Sequence, residues 1–253
     1  MAETIFMIHG MFCGKWVWEN YTGFFEQKGY RCLNVDLRFH DAPPRVFPDP
    51  RLGTTGVPDY LADLEETIRS LDRPPILMGH SLGALLAQIL ASRGLSRALV
   101  LLTPAAPAGI FALKPSVIRT LGGLLFRWGF WKKPVRLSFA AAAYAVFNRL
   151  PATECQQAYQ RLVYESGRAA AQTGLWFLDP DRATRVDETR VTCPVLVIAG
   201  GQDKITPVPV VRRVAEKYRA VSTFKVFADH SHWLFAEPGW QEPAAFICDW
   251  LQH

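Results

Sequence analysis

Ten residues, Pro75 to Ala84 (Pro-Ile-Leu-Met-Gly-His-Ser-Leu-Gly-Ala), restrict what this chain can fold into more than any other stretch. Ile76 to Met78 reads as a short apolar strand, Leu82 onward as the start of a helix, and Ser81 falls in the turn between them. Gly79 and Gly83 flank the serine at the spacing of a nucleophile elbow. A sharp strand-to-helix turn leaves little room for side chains two residues before and after its apex, and glycine relieves that crowding. The turn would raise the Ser81 hydroxyl above a sheet at a helix N-terminus, where free N–H groups favour developing negative charge. A five-residue pattern also arises by chance in loops. The rest of the chain must decide.

Around this stretch, strands and helices alternate. Strands are expected at Thr4 to Ile8, Tyr30 to Leu37, Ile76 to Met78 and Ala98 to Leu102. Helices are expected over Trp16 to Gln27, from Pro58 to about Leu71, and from Leu82 to about Ser92. Arg38 to Pro58 is rich in proline and glycine and reads as a long surface loop, a kind that often borders a site. The near-continuous apolar strands imply a parallel sheet covered on both faces. A chain of 253 residues with 49% apolar content can bury such a core.

From Pro104 to about Val191 the rhythm breaks and no strand is expected. Helical segments are read around Ser116–Trp128, Pro134–Asn148 and Thr153–Gly174. They carry Leu124, Leu125, Phe126, Trp128, Phe130 and Trp131, then Phe139, Tyr144, Val146 and Phe147. An insertion this apolar, beyond the C-terminal end of a strand, is placed to roof a pocket. Between Ala105 and Arg185 there are eleven Lys/Arg against four Asp/Glu, so the insertion holds more than the whole formal charge of +5. That excess reads first as a solvated helix face, and it leaves contact with an acidic membrane surface open. Strands then resume at Pro194 to Ala199 and Thr223 to Phe227, with helices at Val208–Tyr218 and Gln241–Leu251. The expected organisation is a core of residues 1–103, a helical cap of residues 104–191, and a second core segment of residues 192–253.

Several classes are argued against. No basic and aromatic stripe points to nucleic acid, and no apolar run reaches membrane-spanning length. A first strand beginning at Thr4 leaves no room for a basic-then-apolar leader. Cys13, Cys32, Cys155, Cys193 and Cys248 are scattered, without disulfide or zinc spacing, so a reducing, cytoplasmic location is expected.

Three polar residues fall just beyond strand ends: Ser81, Asp203 after Gly200-Gly201-Gln202, and His232 in Asp229-His230-Ser231-His232. In an open α/β sheet that edge is where sites form. Serine needs a base to become a nucleophile, imidazole supplies one near neutral pH, and a carboxylate fixes its tautomer. Taken singly, Asp203 also reads as a turn aspartate and His232 as a packed histidine. The order nucleophile, acid, histidine makes them one constellation.

On these landmarks, together with His9-Gly10 after the first strand and Glu237-Pro238 downstream, the chain resembles the α/β-hydrolase family over nearly its whole length. The resemblance implies an α/β-hydrolase core, a mainly parallel six-stranded sheet covered by helices, with a helical cap insertion. It selects His232 over His230 as the catalytic histidine, because the family's histidine commonly stands five residues before such a glutamate. It implies an oxyanion hole built from the backbone N–H groups of Met11 and Leu82, with Phe12 as the alternative to Met11, and a bracing role for His9. The run from Gly10 to Trp18 is similar to the His-Gly…Gly-x-Trp-x-Trp opening of bacterial esterases, plant methylesterases and hydroxynitrile lyases. The lyases usually need a lysine where this chain has Trp233. Cys13 reads as a small filler in that loop.

The expected activity is hydrolysis of hydrophobic carboxylic esters through Ser81, His232 and Asp203, without metal or organic cofactor. Lactone, thioester, amide or carbon–carbon bond hydrolysis, and cofactor-free perhydrolysis, can use the same residues. A non-catalytic binding protein on the same fold is the alternative of another class.

Overall fold

The computed structural model describes every residue except Met1, Arg45, Leu113, Phe126 and His253, with the side chain of Leu125 also left out. Among the described residues the strands are β1 (Thr4–Ile8), β2 (Arg31–Val35), β3 (Ile76–His80), β4 (Ala98–Leu102), β5 (Pro134–Val135), β6 (Glu165–Ser166), β7 (Val195–Gly200) and β8 (Ser222–Phe227). The α-helices are α1 (Glu19–Gln27), α2 (Val57–Arg69), α3 (Leu82–Ser92), α4 (Pro115–Leu125), α5 (Phe139–Ala145), α6 (Ala152–Arg161), α7 (Gly167–Gly174), α8 (Val208–Lys217) and α9 (Gln241–Leu251).

Six strands form one sheet in the order β2-β1-β3-β4-β7-β8, every neighbouring pair parallel. The chain starts at β1, steps outward to β2, then returns to lay β3 on the other side of β1. Connections leaving β1 and β3 therefore diverge, and a crevice opens between their C-terminal ends. His9-Gly10-Met11 follows β1 and Ser81 follows β3, so both reach that crevice.

Alternation of side chains along each strand divides the core into two layers. Phe6, Ile8, Leu77, Leu99, Leu101, Val195 and Val197 face α2, α3 and α8. Ile5, Met7, Ile76, Met78, Val100, Leu196 and Ile198 face α1, α9 and part of the insertion. All of β3, β4 and β7 is buried, as strands covered on both faces require.

The insertion between β4 and β7 differs from the expectation of helices alone. The segment read as a helix from Pro134 begins as β5, which pairs antiparallel with β6, and α5 starts only at Phe139. Ser138 caps that helix, its Oγ accepting the Ala141 N–H at 3.2 Å. The segment read as one helix from Thr153 to Gly174 is two, α6 and α7, separated by extended chain and β6. Ser166 caps α7, accepting from Ala169 N–H at 3.2 Å. A Cβ on Gly167 would strike the Phe130 and Lys133 carbonyls, so the chain crosses there at backbone contact. Hydrophobic period alone does not register such two-residue strands. No described helix is long and apolar enough to cross a membrane.

Close backbone approach also governs the elbow. A Cβ on Gly83 would meet the carbonyl oxygens of Ile8 and His9, and one on Gly79 would meet the backbone of Gly83 and Ala84. Backbone at both places cannot give way. Gly83→Ala is therefore expected to cost about 3 kcal/mol or more. Gly23→Ala, in α1 with nothing beyond the backbone of its own helix within 4 Å of the added carbon, is expected to be up to about 1 kcal/mol more stable than the native chain. Urea unfolding of both variants checks the contrast.

Candidate active site

Ser81 occupies the turn from β3 to α3 with φ 51° and ψ −116°, a conformation that a non-glycine residue adopts only when its surroundings enforce it. Here the Ser81 N–H donates to Leu102 O at 3.0 Å, and its carbonyl accepts from Ala84, Leu85 and Ala105 N–H groups. The residue is thus held between β4 and the first turn of α3, with 8% of its surface exposed.

Asp203 and His232 come together because two loops meet without side chains between them. A Cβ on Gly200 would lie 2.7 Å from the His230 carbonyl and equally foul that of Ser231. One on Gly201 would strike the backbone of Ala228. At this junction the Gln202 N–H donates to His230 O at 2.8 Å. The His232 Nδ1–H then donates to Asp203 Oδ2 at 2.8 Å. A carboxylate only accepts, so in the neutral imidazole the proton sits on Nδ1 and Nε2 keeps its lone pair. Asp203 also accepts from the Ile205 and Thr206 N–H groups at 2.7 and 2.8 Å through Oδ1, and Thr206 Oγ1 lies 2.8 Å from Oδ2. It is both the turn aspartate and the partner of the histidine.

His230 is turned elsewhere. Its Nδ1 lies 2.9 Å from Glu237 Oε1, and the same carboxylate accepts from the Ser231 N–H at 2.7 Å and from the Ser231 hydroxyl. Glu237, 1% exposed, anchors the loop that carries His232. His80 lies beneath: Nε2–H donates to the His232 carbonyl at 3.0 Å, and Nδ1 has no partner among the described residues. Burial, and then the neighbouring His232, hold the His80 imidazole well below its ordinary pKa, so it remains a neutral spacer. The Trp16–Trp18 run forms a short 3-10 turn, with Trp16 against Trp233 and Trp18 against Phe235.

Across the crevice, His9 braces the loop after β1. Its Nε2 accepts the Leu37 N–H at 3.1 Å, so Nδ1 carries the proton and donates to the Gly10 carbonyl at 2.8 Å. In a trans peptide the N–H points opposite the C=O. Fixing the Gly10 carbonyl therefore directs the Met11 N–H the opposite way within the same peptide plane. The Phe12 N–H instead faces Glu165 Oε2 at 3.4 Å. Among the described residues, neither the Met11 nor the Leu82 N–H meets a protein acceptor.

Two apolar cavities meet at Ser81, sharing Met11, Phe12, Leu121 and Ile205. The first, about 880 Å³ with its open mouth, runs under Ala106, Ile110, Phe111, Val117, Leu124 and Trp176. The second, about 500 Å³, is walled by Cys13, Leu137, Val146, Leu162, His232 and Trp233. Of the insertion residues singled out in the sequence, Leu124 and Val146 reach these walls. Phe130 and Phe147 are buried in the core and Trp128 is exposed, while Phe126 and the Leu125 side chain lie outside the described residues. Phe111 and Trp176, whose tilted rings pack at 4.9 Å between centroids, were not legible as wall residues because nothing local marks them. Burial, and then Glu165, push the Cys13 thiol far up, which leaves it unreactive. Among the described residues no cluster of His, Cys, Asp or Glu is arranged for a metal ion.

The chain matches the alpha/beta hydrolase family over residues 5–247, and it belongs to that family. No functionally curated sequence matches it. Among solved structures it is similar to an esterase from Exiguobacterium antarcticum (TM-score 0.74, 18% identity, 100% of this chain and 92% of that one). It is also similar to a pyrethroid hydrolase from Sphingobium faniae (0.74, 18%, 98% and 97%) and to a monoacylglycerol lipase from Paleococcus ferrophilus (0.71, 23%, 98% and 93%). At these identities the likeness carries the fold.

The loop histidine has a consequence for acid stability. Burial, and then the nearby His40, lower the His9 pKa from 6.5 to about 4. His9 is neutral in the folded protein, whereas in the unfolded chain it takes up a proton near pH 6.5. Unfolding therefore binds a proton between those values, and stability present above pH 6.5 is lost as pH falls towards 4, by roughly 3 kcal/mol. His9→Asn keeps a donor for Gly10 and does not titrate. Urea midpoints measured from pH 7 to pH 4 are expected to fall less steeply for this variant than for the native protein.

Proposed function

We propose that this protein is a serine hydrolase of carboxylic esters with apolar groups on both sides of the carbonyl. The observation that carries the reading is the His232–Asp203 hydrogen bond beside a cavity that Ser81 and His232 both line. In this reading His232 Nε2 takes the Ser81 proton as Oγ attacks the ester carbonyl, and Asp203 stabilises the imidazolium. The Met11 and Leu82 N–H groups, without acceptors among the described residues, receive the oxyanion of the tetrahedral intermediate. His232 then protonates the leaving alcohol, and water activated by the same residue releases the acid. Every step uses side chains and backbone amides of the chain.

The two cavities receive different parts of the substrate. Only the second is walled by His232, and the leaving oxygen must come within reach of its proton. The alcohol portion therefore lies towards Val146, Leu162 and Trp233, and the acyl chain lies in the larger cavity under Val117 and Leu124.

A fluorophosphonate probe is expected to label native protein and to fail on Ser81→Ala, and folded native protein that takes no label would refute the reading. Asp203→Asn is expected to lower kcat by about 10⁴-fold with little change in fold, because the histidine tautomer is lost. Each cavity has its own test. Val117→Trp should shift preference from octanoate towards acetate among p-nitrophenyl esters. Val146→Trp should penalise benzyl esters more than methyl esters. Turnover of lactones or thioesters with no ester hydrolysis would move the reaction while leaving the residues in place.

A further inference from the structure

We propose that Glu165, a residue of the insertion, is a positioning residue for the oxyanion loop, held in place by an ion pair with His40; this rests on the ester-hydrolase reading above. Glu165 and His40 both have fully buried side chains, in a part of the molecule where an unpaired charge would be strongly unfavourable. Four donors converge on the one carboxylate. Oε1 accepts the Tyr60 hydroxyl at 2.8 Å and the Ser166 N–H at 2.7 Å. Oε2 faces His40 Nε2 at 3.2 Å and the Phe12 N–H at 3.4 Å. His40 in turn has Nδ1 3.0 Å from the Arg38 carbonyl. Both its ring nitrogens thus face groups that only accept, an arrangement that the imidazolium alone satisfies. Burial is the largest influence on each group and opposes both charges, yet the facing groups together reverse it: Glu165, with the Arg38 carbonyl and Asp36, holds His40 above its ordinary pKa, and His40, with the Tyr60 hydroxyl and the Ser166 N–H, holds Glu165 below its own.

The contact that matters for the reaction is with Phe12. Phe12 has φ 65°, in the left-handed region that a phenylalanine seldom occupies. Its two backbone groups are both tied to the same short segment of the insertion. The N–H meets Glu165, and the carbonyl accepts the Val163 N–H at 2.9 Å. The peptide plane between Met11 and Phe12 is thereby fixed from the insertion side, as His9 fixes the plane between Gly10 and Met11 from the core side. Held on both flanks, the Met11 N–H is left as the loop amide free to receive the oxyanion, and Phe12 is withdrawn from that role. A neutral residue could meet Tyr60 and Ser166. Accepting two backbone N–H groups and an imidazolium together requires the carboxylate.

Glu165→Gln presents an N–H₂ where the carboxylate accepted and so strands the Phe12 or the Ser166 N–H. It is expected to lower kcat for a p-nitrophenyl ester by about 10- to 100-fold, less than loss of an oxyanion donor itself. KM should stay near native. Affinity for a trifluoromethyl ketone, which places an oxyanion in the hole, should fall by the same factor as kcat. Tyr60→Phe loosens the same cluster without touching Phe12, and serves as the control: its melting temperature should drop while kcat stays within about twofold. Should Glu165→Gln not fold, His40→Gln, which removes the counter-charge, carries the same expectation. A folded Glu165→Gln with native kcat and native ketone affinity overturns the positioning role alone. Equal kcat losses in Glu165→Gln and Tyr60→Phe, tracking their losses of stability, also overturn it. No turnover and no ketone binding by the native protein would overturn the ester-hydrolase reading and this role with it.

Discussion

The structure depends on how closely the N-terminus of α3 can approach the end of β1. Gly83 lies against the carbonyls of Ile8 and His9, and Gly79 lies against the backbone of Gly83 and Ala84. Any side chain at either place would push the helix away from the sheet. That would separate the Leu82 N–H from the loop that carries Met11. The same approach forces Ser81 to φ 51°, and hydrogen bonds from β4 and α3 hold it there. Strain at Ser81 is thus the local result of a close contact the rest of the sheet stabilises.

A second close contact makes the other half of the site. Gly200 and Gly201 let the loops after β7 and β8 touch backbone to backbone, which sets Asp203 and His232 at hydrogen-bonding distance. Glu237 ties down the His232 loop through Ser231 and His230, and Thr206 packs against the Asp203 carboxylate. The candidate groups therefore stand on backbone fixed by glycine contacts and carboxylate anchors. Such support suits a site that must meet charge without rearranging.

The insertion adds apolar walls and a buried charge. Leu124, Val146 and Trp176 line the space beside Ser81, while Glu165 meets His40 and Tyr60 of the core. A charge pair without solvent contact is weak evidence for stability, and in some proteins such a pair fixes a single geometry instead. Here that geometry joins the insertion to the loop after β1.

Much of this was legible in the chain itself. Apolar strands at regular intervals determined the parallel sheet. Glycines around Ser81, and polar residues at the ends of three strands, marked Ser81, Asp203 and His232 in order. These are local signals, because steric limits of a turn and alternation along a strand act over a few residues. The two-residue strands β5 and β6 were not legible, since so short a pairing depends on a partner about thirty residues away. Nor were the roles of Phe111, Trp176, Thr206 and Glu165. Glu165 lies 153 residues from Phe12, 125 from His40 and 105 from Tyr60, and no spacing along a chain encodes contacts of that range. The residues available for chemistry were determined by sequence. Which of them touch, what walls surround them, and which carboxylate holds the loop were decided only by the tertiary fold, because burial and charge pairing act across space.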